Sequence, residues 1–241
     1  MSDPIKPGAP LASGGMSTEG TTTPVKINKP ELDFTDKKVL CSAICKCKST
    51  PGIGKDGRSL KQSCVSGQLK ALDGILKHRS PYKPEVNYDM TRQPPAPIMD
   101  RSVETKGHDW LPGWIKKWWD APDDQGSRRP PFTAGEGMVR RPDVVIVNDP
   151  TKPPTQDNIK QVVEIKFPPD SWSKEQQTDY ERIAGGAEKL EKLEPSDCDC
   201  NQSEPNHSKI PVEQLGTAAM LAGVLYMLLV RRPMPGPVPA Y

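Results

Sequence analysis

The chain has 241 residues, room for one sizeable domain or two small ones. Its 33 Lys and Arg stand against 31 Asp and Glu, a net charge of +2. That balance excludes a bulk electrostatic hold on a polyanion and leaves such a task to local basic patches. Apolar residues make up 34% of the chain and prolines number 28, so the core is smaller than the length suggests and long loops are expected.

Residues 1–30 are rich in Pro, Gly, Ser and Thr without periodicity, the composition of a disordered tail. Met1 to Thr23 holds no apolar run long enough for a signal peptide. A helical, cysteine-rich region is predicted over 31–80. Asp33 or Thr35 is placed to cap a short helix through Lys38 to Ile44. After a loop from Ser49 to Ser59, Val65, Leu69, Leu72 and Leu76 recur at helical spacing, and Pro81 and Pro84 end that helix.

The six cysteines are Cys41, Cys45, Cys47, Cys64, Cys198 and Cys200. Free or mixed thiols, disulfides, and a zinc site on the first four stay open, in that order of preference. Tyr82 to Arg101 reads as Pro-rich and irregular. Trp110, Trp114 and Trp118 recur every fourth residue with Lys116 and Lys117 between them. This pattern suits stacking on bases, but it is read first as the packed face of a helix. The basic stretch Gly126 to Pro131 is either an ordinary surface loop or a contact for a phosphate backbone.

Two β-strands come next, Asp143 to Val147 and Gln161 to Phe167, each a short β-branched run bounded by Pro and Asn or Asp. The strand period of two places Asp143, Val145 and Val147 on one face and Val144 and Ile146 on the other. In the second strand Val162, Glu164 and Lys166 share a face, opposite Val163, Ile165 and Phe167. A hairpin through Asn148–Asn158 would bring Asp143 beside Glu164 and Lys166. Charges in such apolar strands need compensation. A divalent cation would provide it, since Mg²⁺ favours one or two carboxylates completed by phosphate and water.

Ser173-x-x-Gln176 reads as a capping box, opening a helix whose apolar stripe runs Tyr180, Ile183, Ala184, Ala187, Leu190 and Leu193 to a stop at Pro195. Gln214–Val230 is predicted as an apolar helix buried on the sheet, with a membrane segment as the alternative, before a Pro-rich tail over 233–241. The domain so delimited spans 81–232, an α/β unit with a central mixed sheet flanked by helices.

Pro142-Asp143 followed by Glu164-Ile165-Lys166 resembles the signature of the PD-(D/E)xK nuclease superfamily, which has the restriction-endonuclease-like fold. Glutamines shortly after the second strand point to its VRR-NUC branch. The resemblance covers residues 136–185. It implies metal-dependent hydrolysis of DNA, leaving a 5′-phosphate and a 3′-hydroxyl. Mg²⁺ or Mn²⁺ would be held by Asp143, Glu164 and the carbonyl of Ile165. Lys166 would position or deprotonate water, Gln177, or failing that Gln176, would contact the water or phosphate, and Glu85, or else Glu104, would add an acidic residue. The head, cysteine-rich region and apolar tail look like those of a type VI-like secreted toxin. Such a toxin would be made in a producer's cytoplasm, act in a target cell's cytoplasm and be neutralised by an immunity protein. A replication or repair nuclease and a non-enzymatic binding module are the alternatives.

Overall fold

The computed structural model describes residues 31–54, 59–122 and 126–200. The expected tails and the Gln214–Val230 helix, with its membrane alternative, lie outside these residues. Among the described residues no helix is long and apolar enough to cross a membrane.

Strands β1 (Tyr82–Pro84), β5 (Val144–Val147), β6 (Ile159–Ile165) and β7 (Leu190–Leu193) form a four-stranded sheet in the order β1-β5-β6-β7. The β5–β6 pair is the expected antiparallel hairpin, with Val144 opposite Val163 and Val145 opposite Val162. β7 runs parallel to β6, which makes the sheet mixed. Helices α1 (Phe34–Cys47) and α2 (Leu60–Ile75) cover one face and α4 (Lys174–Ala184) the other. This is the α/β arrangement of a restriction-endonuclease-like fold. A small sheet of β3 (Ala96–Pro97), β2 (Tyr88–Asp89) and β4 (Val139–Arg140) lies alongside, and α3 (Leu111–Trp118) joins the two parts of the chain that build it.

Alternation sorts the core into two layers as the sequence predicts. Val144, Ile146, Val163, Ile165 and Phe167 pack with Leu40, Ile44 and Leu69 of α1 and α2. Val145, Val147 and Val162 pack with Tyr180, Ile183 and Ala184 of α4, and a β-bulge opposite Val147 brings Ile159 into the same layer. The sheet is therefore covered on both faces, and its central strands are almost wholly apolar for that reason. Asp33 caps α1 by accepting from the Asp36 N–H at 2.9 Å. Asp36 then accepts from the Tyr82 hydroxyl at 2.8 Å and from Lys160 Nζ at 2.7 Å, joining α1 to β1 and β6.

Several expectations are corrected. α2 stops before its prolines, because Lys77 and His78 take left-handed φ angles of 53° and 61° and the His78 N–H turns back to the Asp73 carbonyl. The segment after it is not irregular throughout: Tyr82–Pro84 is the edge strand of the main sheet. α4 ends at Gly185, left-handed at φ 86°, whose N–H closes on the Glu181 carbonyl. Leu190 and Leu193 are thus not on the helix stripe. Three residues apart on β7, they face opposite layers of the core. The tryptophans do not form a packed helix face either, since α3 buries no residue. Trp119, just past its end, is the anchor: it donates from Nε1 to the Pro130 carbonyl at 2.7 Å and meets Phe132 edge-on. Arg129 of the basic loop turns inward to Asp89 at 2.5 Å.

The cysteines are neither free nor arranged for zinc. They form Cys41–Cys198, Cys45–Cys200 and Cys47–Cys64, with no free thiol among the described residues. Cys41 and Cys45 lie one turn apart on α1, so two bridges fasten one helix face to the chain just beyond β7. Replacing Cys45 and Cys200 together by Ser is expected to cost about 2–4 kcal/mol, read as a lower urea midpoint. An unchanged midpoint would mean that this bridge contributes nothing to the folded state.

Candidate active site

Asp143 sits in the turn into β5, and its Oδ2 accepts from the Ile165 N–H at 2.8 Å. Its own N–H points to Glu164 Oε2 at 3.4 Å. Glu164 and Lys166 follow the β6 alternation onto the α4 side of the sheet, and both are buried, at 2% and 7% exposure. Glu164 Oε1 receives Lys166 Nζ at 2.8 Å and Gln176 Nε2 at 2.7 Å. Lys166 Nζ also donates to Gln176 Oε1 at 3.3 Å. The three residues close a ring of hydrogen bonds.

α4 delivers Gln176 because Ser173 caps it. The Ser173 hydroxyl accepts the Gln176 N–H at 3.0 Å, which sets the first turn against the sheet. One turn on, the Tyr180 hydroxyl lies 3.2 Å from Gln176 Nε2 and donates to the Arg141 carbonyl at 3.0 Å. Burial pushes the Tyr180 phenol well above its ordinary range, so it keeps the proton it donates. Gln177, the first choice from sequence, faces away and donates to Glu181 at 2.9 Å on the exposed side. One residue is about 100° of helical turn, and that rotation separates the two glutamines.

Glu85 flanks the site by its backbone, donating from N–H to the Asp143 carbonyl at 3.0 Å. Its side chain is occupied elsewhere, paired with Lys70 of α2 and 3.9 Å from Arg141. Burial pushes the Glu85 carboxyl up, but Lys70, with Ser66 and Arg141, outweighs it and holds the group below its ordinary value. Glu104 is exposed in a turn. The Ile165 carbonyl accepts from Gln62 Nε2 of α2 at 3.2 Å. Gln62 and Lys70 were invisible to sequence reasoning, since nothing local marks them. Tyr180 was visible only as an apolar position, although its spacing from Gln176 is one helical turn.

Two carboxyl groups and one ammonium meet in a buried space, so ionising both carboxyls leaves one negative charge in excess. Burial first, and then the Glu164 carboxylate, push the Asp143 carboxyl up to about 8, against the pull of the Ile165 N–H and Lys166. Among the described residues no group of three or more His, Cys, Asp or Glu is placed to hold a metal ion by itself. Asp143, once ionised, Glu164 and the Ile165 carbonyl could supply hard oxygen donors with one negative charge in excess. That set fits Mg²⁺ or Mn²⁺, with water and phosphate completing the shell.

Residues 132–189 match the family model of the VRR-NUC domain. This segment is a PD-(D/E)xK-like nuclease domain. No curated protein and no solved structure matches the chain. The VRR-NUC match includes Asp143, Glu164, Lys166, Gln176 and Tyr180, and leaves out Glu85, Gln62 and Lys70.

The raised Asp143 value has a consequence for stability in EDTA. With a folded value near 8 and an unfolded one of about 3.9, the folded protein holds a proton that the unfolded chain has lost. Stability from this group therefore falls as pH rises from about 4 to 8. Asp143→Asn cannot ionise, so its melting temperature relative to the parent should climb across that window. Parallel melting curves would show that Asp143 is already ionised in the folded protein at low pH.

Proposed function

We propose that this chain is a Mg²⁺- or Mn²⁺-dependent endonuclease that hydrolyses phosphodiester bonds in DNA. The observation that carries the reading is the Asp143, Glu164 and Lys166 set on neighbouring strands, inside the VRR-NUC match. Asp143, Glu164 and the Ile165 carbonyl would hold the cation, the last after release from Gln62. When bound, the cation would neutralise phosphate charge and make water more acidic. Lys166 Nζ is fixed between Glu164 and Gln176, from where it would orient the attacking water and offset charge developing on the phosphate. Gln176 holds both partners in place and is itself braced by Tyr180. Glu85 steadies the Asp143 backbone and adds negative charge nearby.

A plasmid-nicking assay tests this. Cleavage should need Mg²⁺ or Mn²⁺ and stop in EDTA. Glu164→Ala and Lys166→Ala should each lose about 100-fold or more in rate with an unchanged circular dichroism spectrum. Gln176→Ala should lose about 10- to 100-fold, the worth of a hydrogen bond to a charged group, and Gln177→Ala should stay close to the parent rate. Full activity of Glu164→Ala would overturn the assignment.

The setting proposed is that of an antibacterial toxin with a cognate immunity protein over the Asp143 site. Three disulfides support a chain that meets an oxidising compartment, because cytosolic thiols are kept reduced. Expression in a bacterial cytoplasm should arrest growth with degradation of DNA, and Glu164→Ala should relieve the arrest. Harmless expression of an enzyme shown to be active in the same cells would favour a regulated replication or repair nuclease.

A further inference from the structure

Beside the Asp143 site lies an open groove of about 520 Å³, with Trp110, Phe132, Gly135, Gly137 and Arg141 among its lining residues. Trp110 precedes α3 and is 66% exposed, the most exposed tryptophan of the described residues. Its indole folds back over Gly113, where an added Cβ would sit 2.2 Å from the ring. The indole is thus seated against the first turn of the helix, and about two thirds of the residue stays exposed at the groove. The absence of a side chain at residue 113 is what lets the ring lie there.

The rest of the groove is equally fixed. Phe132 is 37% exposed, and its ring is set edge-on against buried Trp119, with centroids 4.8 Å apart. Gly135 and Gly137 take left-handed φ angles of 87° and 70°, which gives that wall a bare backbone. Arg141 ends the groove at the site. Its carbonyl accepts from Tyr180, and its guanidinium lies 3.9 Å from Glu85, whose N–H holds the Asp143 carbonyl. Asp109 also lines the groove, but its carboxylate is paired with Lys106, so it does not face a ligand as a bare charge.

We infer that this groove is a subsite for one unpaired nucleobase of the strand being cut, stacked on Trp110, with the adjoining phosphate towards Arg141. A base inside a duplex has both faces covered by its neighbours, so an aromatic platform of this kind accepts a base only when it is out of the stack. An apolar protein side chain would gain from Trp110 and Phe132 but would offer the Arg141 guanidinium nothing beyond its 3.9 Å pairing with Glu85. A nucleotide satisfies both ends. The inference rests on the nuclease reading and narrows it to substrates with unpaired bases beside the scissile phosphate.

Fluorescence anisotropy with the full chain in Ca²⁺ tests the subsite without turnover. The probes are a labelled single-stranded oligonucleotide, the same backbone carrying abasic sites throughout, and a blunt duplex. Trp110→Ala should weaken binding of the base-containing single strand by about 5- to 150-fold, the range for losing one base–aromatic stack. It should weaken the abasic strand at least fivefold less, and Trp110→Phe should restore most of the loss. Equal weakening of the base-containing and abasic strands would overturn the inference, and so would no weakening of either. If the parent nicks plasmid yet binds the abasic strand as tightly as the base-containing one, the subsite fails while the nuclease reading stands. If the parent neither binds nor cuts any nucleic acid, the nuclease reading fails first.

Discussion

Everything at this site depends on putting two carboxylates inside a sheet that is covered on both faces. Asp143 and Glu164 would repel each other and resist leaving water. They are held together by the strand pairing itself, which carries the Ile165 N–H to Asp143 and the Asp143 N–H towards Glu164. The energy for this placement comes from the apolar residues around them, which bury on both sides of β5 and β6. A site charged in this way is an unstable arrangement on its own and a favourable one beside a cation. Stability and chemistry pull against each other at the same two residues.

The VRR-NUC segment does not hold its geometry alone. α2 reaches the site twice, through Gln62 on the Ile165 carbonyl and Lys70 on Glu85. Cys64, two residues after Gln62, is bridged to Cys47 of α1, and α1 is bridged in turn to the residues after β7. The cysteine-rich helices thus act as a brace on the back of the sheet, opposite the face that carries Glu164 and Lys166. Oxidation and site geometry are linked through this brace.

The hairpin and its two faces were legible because a period of two in a β-branched run leaves little choice of register once both faces are apolar. Asp143, Glu164 and Lys166 came with it. Gln176 and Gln177 were harder, because adjacent helical positions differ only by rotation, and the rotation is set by where Ser173 caps the helix against the sheet. Leu190 and Leu193 fit a helical stripe equally well by spacing. Two glycines break the helix first, and only the parallel pairing with β6 makes a strand of Leu190–Leu193. The pairing of Cys41 and Cys45 with partners more than 150 residues away has no local signal at all. Tyr82–Pro84 hid among prolines because an edge strand can carry a Pro that a central one cannot.

The parallel pairing of β6 and β7 bears on how a polymer reaches the site. α4 is the crossover between those two strands, so the helix that carries Gln176 and Tyr180 is tethered at both ends to the same sheet. From β4, Arg140 also grips it through Glu175 and Asp179, each at 2.5 Å. Swinging this helix aside would mean pulling β7 out of its ladder and breaking both ion pairs. The roof over Glu164 is therefore held by its own connections, and on the proposed reading a long substrate would enter laterally, along the flank where Arg141 and the glycine-lined wall leave the backbone open. Passage of the strand, rather than motion of the protein, would then set the pace of entry and exit.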